Sequence, residues 1–224
     1  MILVAIDTST RFASVGVADA AKKRATRSWR SNQNHGRELM PAVVESLAEL
    51  ALNATDVTHV AVATGPGGFS AVRVGISAAL GLAVSRKLPV LGIPTHKVEV
   101  EPFLTEITEE VPIYSLVPAG RNEISWTRHS AASNTNEPNV GIAAPEELTN
   151  LLEPDALVCG EACDLMAGHI DQSRFRGSAA PTRDANSILD IAIRQFEAGE
   201  STLYEELRPI YARPPSISKP NPAK

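Results

Sequence analysis

The sequence predicts an α/β protein with two domains, each built on a mixed β-sheet that is flanked by helices. Three observations support this prediction. Short apolar segments alternate with segments of helical periodicity, the first thirty residues read as a three-stranded antiparallel meander, and a similar pattern restarts near residue 113. A chain of 224 residues, of which 43% are hydrophobic, is long enough to bury a core of this kind.

The N-terminal half is predicted to form one sheet with two helices. Its strands are expected at Ile2–Asp7, Phe12–Ala18, Lys22–Arg30, Val60–Ala63 and Pro89–Ile93. Helices are expected at Gly36–Leu52, where Pro41 predicts a late start or a bend, and at Ser70–Ser85. The resulting order combines an antiparallel meander with parallel crossovers, which is the layout of a ribonuclease-H-like half of an actin-type fold.

A smaller second domain is predicted over residues 101–184. Its strands are expected at Ile113–Val117, at Glu123–His129, near Val140 and at Ala156–Cys159, and its helices at Pro145–Leu152 and Ala162–Ile170. The last predicted helix, Asn186–Ala198, is assigned to the N-terminal domain, which then comprises residues 1–100 and 185–213. Residues 214–224 are rich in proline and serine and are predicted to be disordered.

Two segments suit the binding of a phosphate or a metal-bound phosphate. Asp7–Thr10 places a carboxylate beside hydroxyls and backbone N–H donors, although a tight turn bonded by its own side chains explains the same residues. Gly65–Gly68 opens a helix at which backbone donors converge, but it lacks the Gly-Lys-Ser/Thr of a P-loop. Arg73 either anchors this loop, meets a partner's carboxylate or faces a ligand. The candidate residues near a nucleotide or phosphate are Asp7, Thr8, Ser9, Thr10, Gly65, Gly67, Gly68 and Arg73.

The helix Ser70–Ser85 is the most informative element, because its apolar residues point in several directions. Gly75 and Gly81 make its surface smooth and allow close approach of another backbone. Its own sheet and the helix Gly36–Leu52 cover only part of it, so we expect a subunit interface, with burial inside the monomer as the alternative. The predicted interface residues are Leu39, Met40, Val43, Leu47, Ala71, Val74, Gly75, Ala78 and Leu82.

Neither a metal site nor a catalytic residue is expected in this chain. Cys159 and Cys163 match neither a redox pair nor a zinc site and are expected to be free thiols. Most histidines are isolated in the sequence and are expected to be surface or capping residues: His35, His59, His129 and His169.

Charge and hydropathy limit the partners of the chain. Its net charge of −5 disfavours general affinity for phosphate backbones, so RNA contact requires a local patch or a partner. The basic residues of Lys22–Arg30 suit a solvated edge strand, with an RNA-binding strip as the alternative. No stretch reaches the roughly 20 apolar residues of a membrane span, so we expect a cytoplasmic protein and no membrane partner.

Three segments resemble the bacterial TsaB (YeaZ) family: Ile2–Thr10, Gly65–Gly75 and Pro209–Arg213. The resemblance covers residues 1–95, is loose over 100–185 and resumes at the final helix. Members of this family are subunits of the machinery that makes N6-threonylcarbamoyladenosine at position 37 of tRNAs reading ANN codons. The resemblance implies a two-domain actin-like fold of the ASKHA superfamily.

The resemblance also implies partners and a division of labour. TsaB is the noncatalytic paralogue of the transferase TsaD, and its two N-domain helices pack against the equivalent pair of TsaD. The P-loop ATPase TsaE joins near that junction, and tRNA is met through the complex. It further implies that ATP or ADP binds at the complex interface rather than tightly to this chain alone, and that the isolated chain forms a homodimer.

Two departures from the related sequences concern catalysis. TsaD places a His-x-x-x-His metal pair after the strand that follows the glycine-loop helix, whereas the matching stretch here, Thr95–Glu101, has only His96 beside Lys97. TsaB relatives commonly have an aspartate where this chain has Pro118, so weak nucleotide binding is expected. The alternatives are a stand-alone actin-like ATPase or sugar kinase, and a metalloprotease of the related glycoprotease family.

Overall fold

The structure is a computed structural model that describes residues 1–108, 110–120, 122–131, 140–177 and 180–213. The helices and strands, in chain order, are β1 (Leu3–Asp7), β2 (Phe12–Ala18), β3 (Arg24–Arg30), α1 (His35–Glu49), β4 (His59–Ala63), α2 (Phe69–Ala83), β5 (Val90–Ile93), α3 (Thr95–Val100), β6 (Ile113–Pro118), β7 (Ile124–His129), β8 (Gly141–Ala143), α4 (Pro145–Leu151), β9 (Leu157–Cys159), β10 (Phe175–Arg176) and α5 (Ala185–Glu197). The disorder predicted for residues 214–224 lies outside the described residues.

The strands form two five-stranded mixed sheets. Their orders are β3-β2-β1-β4-β5 and β10-β9-β6-β7-β8. In the first sheet β1 pairs antiparallel with β2 and parallel with β4, and in the second β6 pairs antiparallel with β7 and parallel with β9. The same pairing pattern therefore occurs twice, which is the layout of the predicted two-domain actin-like α/β fold.

Residues of β1 alternate between the two faces of the first sheet. Val4 and Ile6 pack with α1 and α2 on one face, whereas Leu3 and Ala5 pack with α5 on the other. Because helices cover both faces, this central strand has a continuous apolar sequence rather than an alternating one. The carboxyl end of this central strand therefore lies at the end of the sheet that faces the second half of the chain.

Helix α3 lies between the two sheets and was not predicted. Its Val98 packs with α5 and the first sheet, whereas Val100 packs with Ile113 of β6. A helix of six residues is too short to give a clear periodicity in the sequence. Because α3 contributes to both cores, the domain boundaries after residues 100 and 184 stay a prediction.

Helix α1 contains a proline without a late start. It begins at His35, six residues before Pro41, so the predicted late start is wrong. Its first turn forms because the N–H of Arg37 donates to the carbonyl of Asn34 at 2.8 Å. Pro41 withholds an N–H from the carbonyl of Arg37, and that residue is exposed, so water can bond to the free carbonyl.

The end of β9 and the segment that follows it contain the two cysteines and a short helical turn. Cys159 and Cys163 are free thiols, as predicted, and burial raises the pKa of each. Only Cys163–Met166 is helical, as a 3-10 turn, so the predicted helix Ala162–Ile170 is wrong. The backbone leaves the helical path directly after Met166, because the C-cap residue Ala167 has a ψ of 126°.

Candidate functional site at the cleft between the sheets

The turn Asp7–Thr10 follows β1 and is held by its own side chains. Asp7 Oδ1 accepts from the Ser9 N–H at 2.7 Å and from Ser9 Oγ at 2.5 Å. Asp7 Oδ2 accepts from Arg183 Nε at 2.8 Å. Both carboxylate oxygens of Asp7 therefore have donors from the protein, and its side chain is only 1% exposed.

The glycine loop packs directly on this turn. The Gly68 N–H donates to the Ser9 carbonyl at 2.7 Å, and Thr8 Oγ1 donates to the Ala71 carbonyl at 2.7 Å. A Cβ added at Gly67 would lie 2.0 Å from the Ser9 carbonyl oxygen. Glycine is required there because the two backbones approach so closely. The two predicted phosphate segments thus bind each other.

Arg183 joins the turn to two other parts of the chain. Its Nη1 donates to Glu99 Oε1, and its Nη2 donates to Thr10 Oγ1 at 2.6 Å and to Glu161 Oε2 at 3.2 Å. The side chains of Arg183 and the three acids are at most 3% exposed. We call Asp7, Thr10, Glu99, Glu161 and Arg183 the Arg183 cluster. It connects the end of β1, helix α3 and the segment after β9, and so spans both sheets.

Three carboxyl groups in this cluster face one buried guanidinium. Burial alone would lower the pKa of Arg183, but Asp7, Glu99 and Glu161 outweigh it and raise that pKa. Burial raises the pKa of Glu99 despite the attraction of Arg183. Arg11 Nε adds a second cation 3.4 Å from Glu161 Oε1. Glu99, Glu161 and Arg183 were not among the predicted site residues, since their wide separation leaves no spacing signal.

The C-terminal residues Pro209–Arg213 fasten to the glycine loop. Gly65 has a φ of 101°, and a Cβ there would lie 2.4 Å from a backbone oxygen of this segment. Tyr211 stacks on Phe69 with ring centroids 4.8 Å apart. Arg73 Nε donates to Tyr211 Oη at 2.7 Å, and its guanidinium lies 3.9 Å from the Phe69 ring centroid. Arg73 therefore anchors the loop, which was one of its three predicted roles.

A cavity of about 1010 Å³ lies between the two sheets. Thr10 and Gly68 are the predicted phosphate residues that line it, together with His35, Asn122 and Glu161. His35 Nε2 lies 2.8 Å from the Thr10 carbonyl oxygen and is buried rather than on the surface. The N-terminus of α2 favours an anion in the cavity, whereas the carboxylate of Glu161 disfavours one, so its walls select no single charge.

Two histidines share a buried serine beside α3. His96 lies within 2.8 Å of Ser115 Oγ and 3.0 Å of Ser125 Oγ, and His129 Nε2 lies 2.8 Å from the same Ser115 Oγ. Burial lowers the pKa of His96 to about 3 and that of His129 to about 4, and the charge of Lys97 contributes to the second shift. His129, which was expected to be a surface or capping residue, is thus half-buried and bonded to Ser115.

Four of the predicted interface residues face the protein's own core. Leu39, Val43 and Leu47 are each 1% exposed and pack against the first sheet. Gly75 is also buried, and a Cβ there would lie 2.5 Å from Thr8 Oγ1, so this glycine lets α2 approach the turn after β1 rather than a partner. These four assignments are wrong, because the regular apolar stripe of α1 and the inner side of α2 cover the sheet.

The other predicted interface residues are exposed or half-buried, although Val74, Ala78 and Leu82 also pack against the core. Met40 is 40% exposed, and Val44, which was not predicted, is 57% exposed one turn further along α1. The spacing of the accessible residues places them on one side of each helix. We call this set the α1/α2 surface, which consists of Met40, Val44, Ala71, Val74, Ala78 and Leu82.

Helix α2 and the turn after it are unusually apolar for their exposure. By length and composition alone, the 18 residues Phe69–Arg86 are apolar enough to cross a membrane, a test that the core helix of a soluble protein also passes. Yet α2 packs on the first sheet through Val72, Ile76 and Ala79. Five other apolar residues of this helix are only partly buried: Ala71, Val74, Ala78, Leu80 and Leu82.

The basic strand β3 lies at the edge of the first sheet. Arg24 pairs with Asp190 at 2.6 Å, and Arg27 faces Glu45 and Glu49 at 3.7 and 3.3 Å. Acidic side chains of α1 and α5 thus neutralise part of its charge. The pairs favour the solvated edge strand over the RNA-binding strip.

The fold and the cleft define the class of protein. It is a two-domain actin-like α/β protein of the family described as "TsaD: tRNA N6-adenosine threonylcarbamoyltransferase", whose sequence profile matches residues 30–161, more than half of the chain. A tRNA N6-adenosine threonylcarbamoyltransferase from Bordetella pertussis is 39% identical over 93 residues, which cover 40% of this chain and 26% of that protein.

Two relatives that align over nearly the whole chain are named TsaB and YeaZ. The "tRNA threonylcarbamoyladenosine biosynthesis protein TsaB" of Escherichia coli (strain K12) is 26% identical over 95% of each chain. The solved structure "YeaZ from Pseudomonas aeruginosa" shares the fold, with a TM-score of 0.77 and 22% identity over 94% of this chain and 99% of that chain. The similarity to proteins named TsaB and YeaZ therefore extends over nearly the whole chain, in line with the resemblance that its motifs indicated.

Proposed function

We propose that this chain is a noncatalytic subunit in tRNA threonylcarbamoyladenosine biosynthesis, and that it pairs with a TsaD-type transferase through the α1/α2 surface. The observation that carries the proposal is the set of accessible apolar residues on the two helices: Met40 and Val44 of α1 are exposed, and Val74, Ala78 and Leu82 of α2 are only partly buried. The names of the relatives, TsaB over nearly the whole chain and the transferase over less than half of it, support the pathway. The substrates of the complex are tRNAs reading ANN codons.

The chemistry of the α1/α2 surface suits another pair of helices. Exposed apolar residues that form one continuous patch mark protein–protein contacts. Val74, Ala78 and Leu82 repeat at helical spacing on α2, and Met40 and Val44 lie one turn apart on α1. A Cβ at Gly81 would meet nothing within 4 Å, so a partner helix could approach the backbone of α2 closely at this position. Gly75, in contrast, faces the turn after β1.

A protein with the same two helices is the best-matched partner. The profile of the transferase family covers residues 30–161, and this range includes α1 and α2. A paralogue with equivalent helices presents an equivalent apolar patch, so the two pairs pack about a pseudo-twofold axis. The same geometry accounts for a homodimer when the transferase is absent. A TsaE-type ATPase joins at that junction, ATP or ADP binds at the complex interface, and tRNA is met through the complex.

A noncatalytic role is supported by the turn Asp7–Thr10. The carboxylate that a metal-bound phosphate would need there, that of Asp7, already accepts from Ser9 and Arg183. Thr10 Oγ1 is likewise bonded to Glu161 and Arg183. Hydrolysis of ATP by the purified chain without a partner would instead favour a stand-alone ATPase.

Charged substitutions on the α1/α2 surface test the interface. Val44→Glu and Ala78→Glu should each weaken co-elution with the TsaD-type transferase by more than ~10-fold, because a charge would be buried at the contact. Leu151→Glu on α4 is the matched control, since Leu151 is an exposed apolar residue (49%) on a helix of the second half of the chain. The control should bind like the wild type, and all three variants should remain folded.

The biological role is tested in cells that carry no second copy of the gene. Deletion should remove threonylcarbamoyladenosine from tRNA nucleosides, measured by mass spectrometry, and the Val44→Glu/Ala78→Glu double variant should fail to restore it. Unchanged threonylcarbamoyladenosine after deletion would overturn the role. Wild-type co-elution of the double variant would overturn the interface while leaving the role intact.

A further inference from the structure

We propose that the guanidinium of Arg183 is the permanent occupant of the cleft floor, where it takes the place of a cation and closes the turn Asp7–Thr10 to the phosphates of a nucleotide. This inference goes beyond the proposed subunit role and concerns the isolated chain. It rests on the positions of the Arg183 cluster residues, which come from distant parts of the sequence. Arg183 is separated from Asp7 by 176 residues and from Glu99 by 84.

The nitrogens of Arg183 are distributed over the acids. Nε bonds Asp7, Nη1 bonds Glu99, and Nη2 bonds Thr10 and Glu161. Such charge-assisted bonds are strong and directional, and a planar fork satisfies several acceptors at once. A phosphate entering the floor would have to displace three carboxylates from the guanidinium and would then lie beside them as a like charge.

The acids are arranged around a guanidinium rather than around an ion. Among the described residues, no group of three or more His, Cys, Asp and Glu side chains is placed so that it could hold a metal ion. Oxygen ligands of Mg²⁺ converge to about 2.1 Å from one point, whereas acceptors of a guanidinium bond different nitrogens of a larger group. The side chains at this floor therefore do not fit the metal-bound nucleotide that an actin-like cleft implies.

The same contacts connect the two sheets. Asp7 ends β1 of the first sheet and Thr10 follows it, whereas Glu161 follows β9 of the second sheet. Arg183 lies immediately before Asp184, which is the N-cap residue of α5. Because one side chain bonds to both sheets, Arg183 also holds the cleft at one width.

Heteronuclear NMR of the wild-type chain tests the proposal without a variant. The Nε–H of Arg183 should exchange slowly with water, because the group is buried and bonded, and its resonance should not move when Mg²⁺·ADP is added to millimolar concentration. The Nε–H of Arg194, whose side chain is 55% exposed, is the internal control and should exchange fast. A shift of the Arg183 resonance on addition of Mg²⁺·ADP would show phosphates at the floor and would overturn the proposal.

Chemical rescue tests whether the floor is a guanidinium site. Arg183→Ala should lower the melting temperature by roughly 10 °C, because three buried carboxyl groups lose their partner. Methylguanidinium at millimolar concentration should restore much of that loss, whereas KCl or MgCl2 at equal ionic strength should not. Arg194→Ala should show neither the loss nor the rescue. Rescue by MgCl2 in preference to methylguanidinium would overturn the proposal.

A neutral variant covers the case in which Arg183→Ala does not fold. The combination Arg183→Met, Asp7→Asn and Glu99→Gln removes the guanidinium together with two of its acids, and it should fold and melt above Arg183→Met alone. Equal instability of both variants would show that the charges of the cluster do not matter, and would contradict the proposal. These outcomes are independent of whether a transferase binds the α1/α2 surface.

Discussion

The Arg183 cluster and the α1/α2 surface differ in how completely the protein itself satisfies them. In the cluster, Asp7, Glu99 and Glu161 all bond one guanidinium and their side chains are at most 2% exposed. On the α1/α2 surface, Met40 is 40% and Val44 57% exposed, and the apolar residues of α2 are only partly buried. The comparison teaches that the cleft serves as a structural core, and that the outer helices are the place where another molecule can act.

The largest effect is expected when the guanidinium of the Arg183 cluster is removed. Arg183→Met should lower the free energy of unfolding by about 3–5 kcal/mol, since it leaves buried carboxyl groups without a partner. Urea denaturation followed by circular dichroism measures this change. A loss below about 1 kcal/mol would mean that the cluster is not the structural core described here.

Two glycines of α2 sharpen the comparison between its inner and outer sides. Gly75→Ala should destabilise the chain by about 1–3 kcal/mol, because its Cβ would lie 2.5 Å from Thr8 Oγ1, which is itself bonded to Ala71. Gly81→Ala is the matched control, since a Cβ there meets nothing within 4 Å, and it should stabilise the helix by up to about 1 kcal/mol. Equal effects of the two substitutions in thermal unfolding would remove the distinction between the sides.

The buried histidines predict loss of stability in acid. The pKa of His96 is lowered to about 3 and that of His129 to about 4, so as pH falls below the ordinary value near 6.5 the unfolded chain takes up protons that the folded chain refuses. Their contribution is present above pH ~6.5 and is lost towards pH ~3, with a slope of up to about 1.4 kcal/mol per pH unit for each histidine.

A double substitution isolates this acid effect. His96→Gln together with His129→Gln should flatten the pH dependence of unfolding in that window, whereas His169→Gln, at an exposed position, should leave it unchanged. Urea midpoints at several pH values between the two limits provide the measurement. A wild-type slope that persists in the double variant would assign the acid effect to other groups.

The smallest effect is expected at a surface ion pair. Arg194 bonds both oxygens of Glu101, at 2.6 and 2.9 Å, in the same charge-assisted manner as the cluster, but its side chain is 55% exposed. Arg194→Met should therefore lower the free energy of unfolding by about 1 kcal/mol or less, because water solvates the guanidinium of Arg194. A loss as large as that of Arg183→Met would show that burial is not what separates the two arginines.

Much of the fold could be predicted from the sequence because its signals are local. The apolar run of β1 and the strand order that follows indicate a mixed sheet, and the structure has that sheet. Helix α3 was missed because six residues carry little periodicity, and its position between the sheets depends on contacts with residues distant in the chain. Short elements fixed by tertiary contacts leave no comparable signal.

The candidate site was less predictable, for two physical reasons. The periodic apolar stripe of α1 indicates that one face of the helix is covered, but it does not indicate whether the protein itself or a partner covers it. Leu39, Val43 and Leu47 are covered by the protein's own sheet. The signal that could have found the outer surface is Val44, an apolar residue that lies off this stripe. Arg183 carries no motif, because its role depends on acids up to 176 residues away.

Amide hydrogen exchange with and without the TsaD-type transferase tests the central claim most directly. The account predicts that the transferase slows exchange in peptides from α1 and α2, and that peptides from α4 and from the segment around Arg183 exchange as in the free chain. Slower exchange in α4 or in the cleft, with α1 and α2 unchanged, would contradict it.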